Sequence, residues 1–160
     1  MNPELLELFN KLINKEFHIS YQYFAMSTYF DEIMMQGFSL YMKHLASFEL
    51  SLAQKMYDYL ILRDEKLSFL KIDEPSSDWV DVSDIFKFAL DEEKALVQDI
   101  EKLYHKAKNT DDIMAMEFVS NILNTKMKSL SKWKKLVYRI QNSKIIPRGV
   151  EFIDTIINKN

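Results

Sequence analysis

Residues 116–137 read MEFVSNILNTKMKSLSKWKKLV, and this stretch decides what the chain becomes. Met116, Val119, Leu123, Leu130, Trp133 and Val137 recur at three- and four-residue intervals, or multiples of them, which marks the apolar seam of an amphipathic helix. The seam position between Leu123 and Leu130 is Lys126. A lysine halfway along such a seam either extends its ammonium to water on its own stem or belongs to a buried site.

Three further segments carry the same kind of seam, each with one ionisable residue near its middle. The first runs Leu6, Phe9, Ile13, Glu16, Ser20, Tyr23, Ser27 and Phe30; the second Met42, Leu45, Glu49, Leu52, Met56 and Tyr59; the third Phe86, Leu90, Glu93, Val97, Ile100 and Tyr104. A buried charge must be paired, hydrogen-bonded or bound to metal, because leaving it alone in a core is costly. One glutamate at a seam edge would need no special account. Four intruders at one level of four helices imply one site, where Glu16, Glu49, Glu93 and Lys126 meet.

The remaining composition agrees with an all-α chain. Two glycines and three prolines in 160 residues leave little material for the tight turns of a β fold. With no cysteine, disulfides and thiolate sites are excluded, and any metal falls to Glu, Asp or His. The N-terminal MNPELLELFNKLINKEF is charged throughout, and no run of about 18 apolar residues occurs, so neither a secretion signal nor a membrane span is expected. A cytoplasmic setting is the expectation.

The seams place long helices at about 4–33, 38–65, 83–108 and 112–141, and a short one at about 150–157. Turns are expected at Met35-Gln36-Gly37, with Gly37 as the break, and at Asn109-Thr110-Asp111. Pro147-Arg148-Gly149 is expected to part the fourth helix from the fifth. Short turns make antiparallel pairs, so the first two helices and the last two form hairpins. Between them Lys66 to Val82, with Asp73-Glu74-Pro75-Ser76-Ser77-Asp78, lacks helical periodicity and is long enough to run the length of a helix. The expectation is one domain over 1–160: a four-helix bundle at 4–141, a long crossover between helices 2 and 3, and a short fifth helix.

At this point the sequence resembles the bacterial non-haem ferritins over nearly its whole length. The matching pieces are Asn14-Lys15-Glu16-Phe17 with Tyr23 two turns on, Gly37, and Tyr57-Asp58-Tyr59-Leu60. They continue with Ile85-Phe86, Glu92-Glu93-Lys94 and Gly149-Val150-Glu151-Phe152-Ile153-Asp154. Their order and spacing carry the likeness, none being specific alone. The resemblance implies a ferritin-like bundle, iron storage, and a homo-oligomeric cage expected to have 24 subunits.

The resemblance also implies a ferroxidase centre with Glu from the first helix, Glu-x-x-His from the second, Glu from the third and Gln or Glu from the fourth. Glu16, Glu49 and Glu93 take the three carboxylate positions, with Tyr23 as a supporting residue beside them. The chain departs elsewhere: Leu52 stands where the histidine is expected, Lys126 where a neutral Gln is, and Lys128 and Ser129 where bacterial members carry further glutamates. Phe48 replaces a carboxylate that often precedes Glu49. Lysine is donor-only and normally charged, so among three carboxylates it competes with a bound cation. The favoured reading is a salt-bridged cluster with weak or absent ferroxidase activity, the other being one weak iron site. No haem is expected, since methionine is a common core filler and Met26 and Met56 read as packing. His18, His44 and His105 receive no role.

The net charge of −3 conceals a strong asymmetry: residues 118–150 hold eight basic side chains and no acidic one. Among them Lys128, Lys132, Lys135 and Arg139 form one stripe nearly opposite the seam. It is either a solvated face balanced by acidic neighbours or a surface for a polyanion such as nucleic acid or phosphate. In the resembling cages the second and fourth helices face the cavity. On that orientation Lys43, His44 and the stripe would tend inward.

Overall fold

In the computed structural model, which describes residues 1–159, the chain forms five helices and no strand among those residues. They are α1 (Pro3–Glu32), α2 (Gln36–Leu62), α3 (Val82–Asn109), α4 (Ile113–Ser143) and α5 (Gly149–Ile156). Each boundary has a local cause. Asn2 caps α1 by accepting from the Glu4 and Leu5 amides, with Pro3 at the first helical position. Asp81 caps α3 through the Asp84 amide, and Asp112 caps α4 through the Ala115 amide.

Helices α2 and α5 have no such cap of their own, and before α2 Met35 has no side-chain acceptor to offer. Asp154 of α5 supplies one, its Oδ1 accepting from the Phe38 amide at 2.6 Å. This corrects the reading of Gly37 as the break between α1 and α2. Gly37 is inside α2, and the left-handed residue of the turn is Met34, with φ 60°. Glycine is required at 37 because a Cβ there would sit 1.8 Å from the Asp154 carbonyl oxygen. The second helix also ends at Leu62 rather than 65, where Asp64 takes a left-handed φ of 56°.

Helices α1 and α2 pack as one antiparallel hairpin and α3 and α4 as the other, and the crossover joins them. It runs alongside α1 in the same direction, held by three buried amide side chains. Asn10 Oδ1 accepts from the Ser68 amide at 2.7 Å. Asn14 accepts from the Leu70 amide and donates to the Ser68 carbonyl. Gln22 both accepts from and donates to the Ser76 backbone, at 2.8 and 2.9 Å. The backbone groups of an otherwise irregular segment thus find partners. Because the crossover returns the chain to the level where α2 began, α3 runs antiparallel to α1, as the Lys15–Asp99 pair at 2.6 Å and the Glu4–Lys106 pair require.

The core seams are those expected, but wider. Leu5, Leu12, Ile19 and Met26 on α1 are buried beside the predicted residues, while Leu6, Leu45, Tyr104, Met116 and Leu123 are only partly so. Met26 and Met56 are fully buried packing residues. Aromatic rings fill both ends of the bundle. Phe30, Phe38, Phe86 and Trp133 pack with centroids 4.9 to 5.9 Å apart at one end, and Tyr59 stacks on Phe118 at 4.1 Å at the other. No helix among the described residues is long and apolar enough to cross a membrane.

Removing one amide clamp leaves buried backbone groups without partners. Asn14→Ala is expected to cost about 1–3 kcal/mol of stability and to accelerate hydrogen exchange at the Leu70 amide, which loses its acceptor, while leaving that of Ser76 nearly unchanged. Denaturant titration and amide exchange measure both.

Candidate functional site

The antiparallel packing brings the midpoints of the four seams to a common level, as the four intruders demand. Glu16, Glu49, Glu93 and Lys126 are each 0% exposed. Lys126 Nζ donates to Glu49 Oε2 and lies 3.5 Å from Glu16 Oε2 and 3.6 Å from Glu93 Oε2. One ammonium therefore sits among three carboxylates contributed by three different helices.

The groups around the cluster orient it. Tyr23 donates its hydroxyl to Glu93 Oε1 at 2.6 Å, and its ring stacks on Trp133 at 5.9 Å. Phe48 lies with its ring 6.0 Å from Lys126 Nζ, on the side toward solvent, where its face can attract the ammonium. Leu52, one turn beyond Glu49, is buried and adds no polar atom. Glu16 Oε1 and Oε2, Glu49 Oε1 and Glu93 Oε2 are buried without a hydrogen-bond partner.

Those orphaned oxygens say how the cluster is protonated. Three carboxyl groups surround one ammonium in a place closed to bulk solvent. Burial, the largest influence, raises the carboxyl pKa of Glu16, Glu49 and Glu93, and Lys126 only partly counteracts it. Glu49 is pushed up to about 8, with the Glu16 carboxylate adding to the rise. Lys126 is itself raised: its burial favours the neutral amine, but the three carboxylates together outweigh that and keep it charged. Burial and the same carboxylates raise the Tyr23 phenol, so it stays a donor. Burial thus favours the protonated form of all three carboxyls, most of all Glu49, while the Lys126 ammonium favours their ionised form. Among the described residues, no group of three or more His, Asp or Glu side chains is arranged to hold a metal ion.

The basic stripe lies outside this cluster. Lys128, Lys132, Lys135 and Arg139 are exposed and line one wall of a groove of about 800 Å³ between α2, α4 and α5. Lys43 does not line that groove. It pairs with Asp31 at 2.8 Å and borders a separate apolar hollow between α1 and α2, because its position on the helix turns it toward α1. His44 and His105 are exposed, His18 is half-buried, and none joins the cluster. Sequence reasoning missed Phe48 as the cover of Lys126 and Asn10, Asn14 and Gln22 as the crossover clamps. The four- and eight-residue spacing of those amides along one edge of α1 was the available signal.

Comparison with known proteins agrees with the geometry. The family model of the ferritin-like domain matches residues 6–142. A bacterial non-heme ferritin of Staphylococcus epidermidis is 27% identical over 134 residues, covering 84% of this chain and 81% of the relative. That of Staphylococcus aureus strain USA300 is 25% identical over the same shares. Among solved structures, an open pore ferritin from the archaeon Archaeoglobus fulgidus superposes with a TM-score of 0.96 at 24% identity, over 100% of this chain and 98% of that one.

The raised carboxyl pKa values set the sign of a pH dependence. A folded pKa of about 8 for Glu49, against an ordinary value of 4.5, favours the folded state below pH 4.5, and this advantage is lost as pH rises through 8. Glu16 and Glu93 act in the same direction. Unfolding free energy from denaturant titration should therefore fall between pH 5 and pH 8, and Glu49→Gln should flatten the fall. Lys126→Met should cost about 3–5 kcal/mol at neutral pH, and less at pH 5, where the stranded carboxylates can take up protons.

Proposed function

Because this chain belongs to the ferritin-like domain family, we propose that it is a subunit of a cytoplasmic, homo-oligomeric iron-storage cage in which Lys126 takes the place of metal inside the bundle and leaves ferroxidase activity weak or absent. The observation that carries this reading is the Lys126 ammonium, fully buried and within 3.6 Å of all three carboxylates. Its single positive charge does the electrostatic work that a bound cation does in a carboxylate site, so the bundle is complete without metal.

The donor set fits a di-iron centre poorly. Glu16, Glu49 and Glu93 could hold one ferrous ion only if Lys126 withdrew, and Leu52 provides no nitrogen for a second. Oxidation of Fe²⁺ by oxygen at paired ions therefore lacks the ligands that would hold the pair. The relatives in Staphylococcus epidermidis and Staphylococcus aureus bear the name bacterial non-heme ferritin, and storage of iron oxidised elsewhere, by other subunits or by solution chemistry, is the task left to such a shell.

A second reading draws on the stripe, with nucleic acid or another polyanion bound through Lys128, Lys132, Lys135 and Arg139. What favours it is that none of these four is ion-paired to an acidic side chain among the described residues. If phosphates were bound at all four, the logarithmic salt slope of affinity would approach about −3 per subunit.

Two variants test the first reading. Lys126→Gln replaces the ammonium by a neutral amide and should raise Fe²⁺ affinity in anaerobic calorimetric titration; unchanged affinity would show that Lys126 does not block the site. Adding Leu52→His should accelerate oxygen-dependent Fe²⁺ oxidation over the parent. Rapid oxidation by the parent, at two irons per subunit, would refute the proposal.

A further inference from the structure

The groove between α2, α4 and α5 has two unlike surfaces. One wall is cationic, from Lys128, Lys132, Lys135 and Arg139 of α4, and no acidic residue lines any part of the groove. The floor is apolar: α2 contributes Tyr41, Leu45 and Phe48, and α5 contributes Ile153, Ile156 and Ile157. Its volume of about 800 Å³ falls within the range of small-molecule sites.

The two ends of the groove also differ. Helix α5 follows the C-terminal end of α4 and is tied to the start of α2, through Asp154 on the Phe38 amide and Asn158 on the Gly37 carbonyl. Its isoleucines therefore stand at the Arg139 end. Towards the middle of α4, Lys128 and Lys132 stand together with the hydroxyls of Thr125 and Ser129. Donors therefore run the length of the α4 wall, whereas the aliphatic surface is concentrated at the Arg139 end.

Within one subunit, helix α5 leaves apolar surface only half covered. It is the most apolar of the five helices in composition, yet none of its residues is fully buried. Fully burying one aliphatic side chain is worth about 1.5–3 kcal/mol, so the half-covered isoleucines are a standing driving force for an apolar ligand. A nucleic-acid strand leaves that surface unused, since isoleucine offers bases no stacking face. Inorganic phosphate covers none of it.

From this polarity we infer that the groove binds an anionic amphiphile of the long-chain carboxylate class. The carboxylate is held at Lys128 and Lys132, and the alkyl chain runs over Leu45 and Tyr41 toward the isoleucines of α5. The groove contains none of Glu16, Glu49, Glu93 and Lys126 and meets that cluster only at Phe48, whose ring lines the groove and lies over Lys126.

The test uses the assembled, full-length protein and the fluorescent fatty acid cis-parinaric acid. Fluorescence should rise saturably, and palmitate should displace the probe far better than uncharged hexadecanol. Lys128→Gln with Lys132→Gln should weaken binding about tenfold or more, the scale of one charge-assisted hydrogen bond. Lys135→Gln with Arg139→Gln should weaken it less. Ile156→Ser should weaken binding without altering the head-group preference, and Leu50→Ser, in the separate α1–α2 hollow, should leave affinity unchanged. No saturable signal up to about 100 μM would overturn the proposal, as would affinity that responds to Leu50→Ser but not to the groove variants. Competition by phosphate or oligothymidylate equal to that by palmitate would overturn it in favour of a plain anion surface. A changed assembly size in Ile156→Ser, with parinarate binding intact, would overturn it in favour of a second copy of the chain covering α5.

Discussion

A charge taken out of water has to be answered where it stands, and in this protein the answer is Lys126. Three glutamates project from α1, α2 and α3 into the middle of the bundle, where the surrounding seams are leucine, isoleucine, valine and aromatic. Without the ammonium from α4, each carboxylate would have to take a proton or draw in water, and the level at which the helices meet would be the weakest point of the core. With it, the four helices share a common polar centre. Tyr23 and Phe48 then complete the enclosure, the first by donating to Glu93 and the second by covering Lys126 on the side toward solvent. Because the carboxylates outnumber the ammonium, burial raises their pKa values, and the cluster joins the helices at a centre whose charge depends on pH.

The same centre explains the register of the helices. Sliding one helix by a turn would move its intruder about 5.4 Å along the bundle axis, away from its partners and into a purely apolar layer. Apolar packing alone tolerates such slips better than charge does, because one aliphatic layer resembles the next. The crossover adds a second, independent constraint: Asn10, Asn14 and Gln22 bind its backbone at three levels of α1. Asp154 adds a third by capping α2 from the far end of the chain. Polar contacts here set the alignment while apolar contacts supply the cohesion.

Functionally, the proposed reading turns on one substitution of chemical type. A metal ion and an ammonium both satisfy a ring of carboxylates, but only the metal has open coordination positions for oxygen chemistry, whereas a lysine is saturated once its hydrogen bonds are made. A cage built from such subunits would keep the container and give up the intra-bundle reaction. The unpaired basic stripe, the apolar side of α5 and the groove between them lie outside that centre and give the subunit a second chemical surface.

Much of this was legible in the sequence because helical periodicity is local: the seams, the two hairpins, the crossover and the four residues at Glu16, Glu49, Glu93 and Lys126 all follow from spacing along one helix at a time. The stripe of Lys128, Lys132, Lys135 and Arg139 was legible for the same reason. What spacing cannot convey is which flank of one helix faces which flank of another. Hence the pairing of Lys43 with Asp31 on α1 was not legible, and Gly37 was read as a helix break although it is the place where α5 crosses closely over α2. The raised carboxyl pKa values of the cluster, the cap that Asp154 lends to α2 and the groove under α5 likewise arise only when segments distant in the chain are brought together. Sequence determined the elements and their polar intruders; the tertiary structure decided their partners, since a contact is a property of two surfaces and each segment of sequence describes only one.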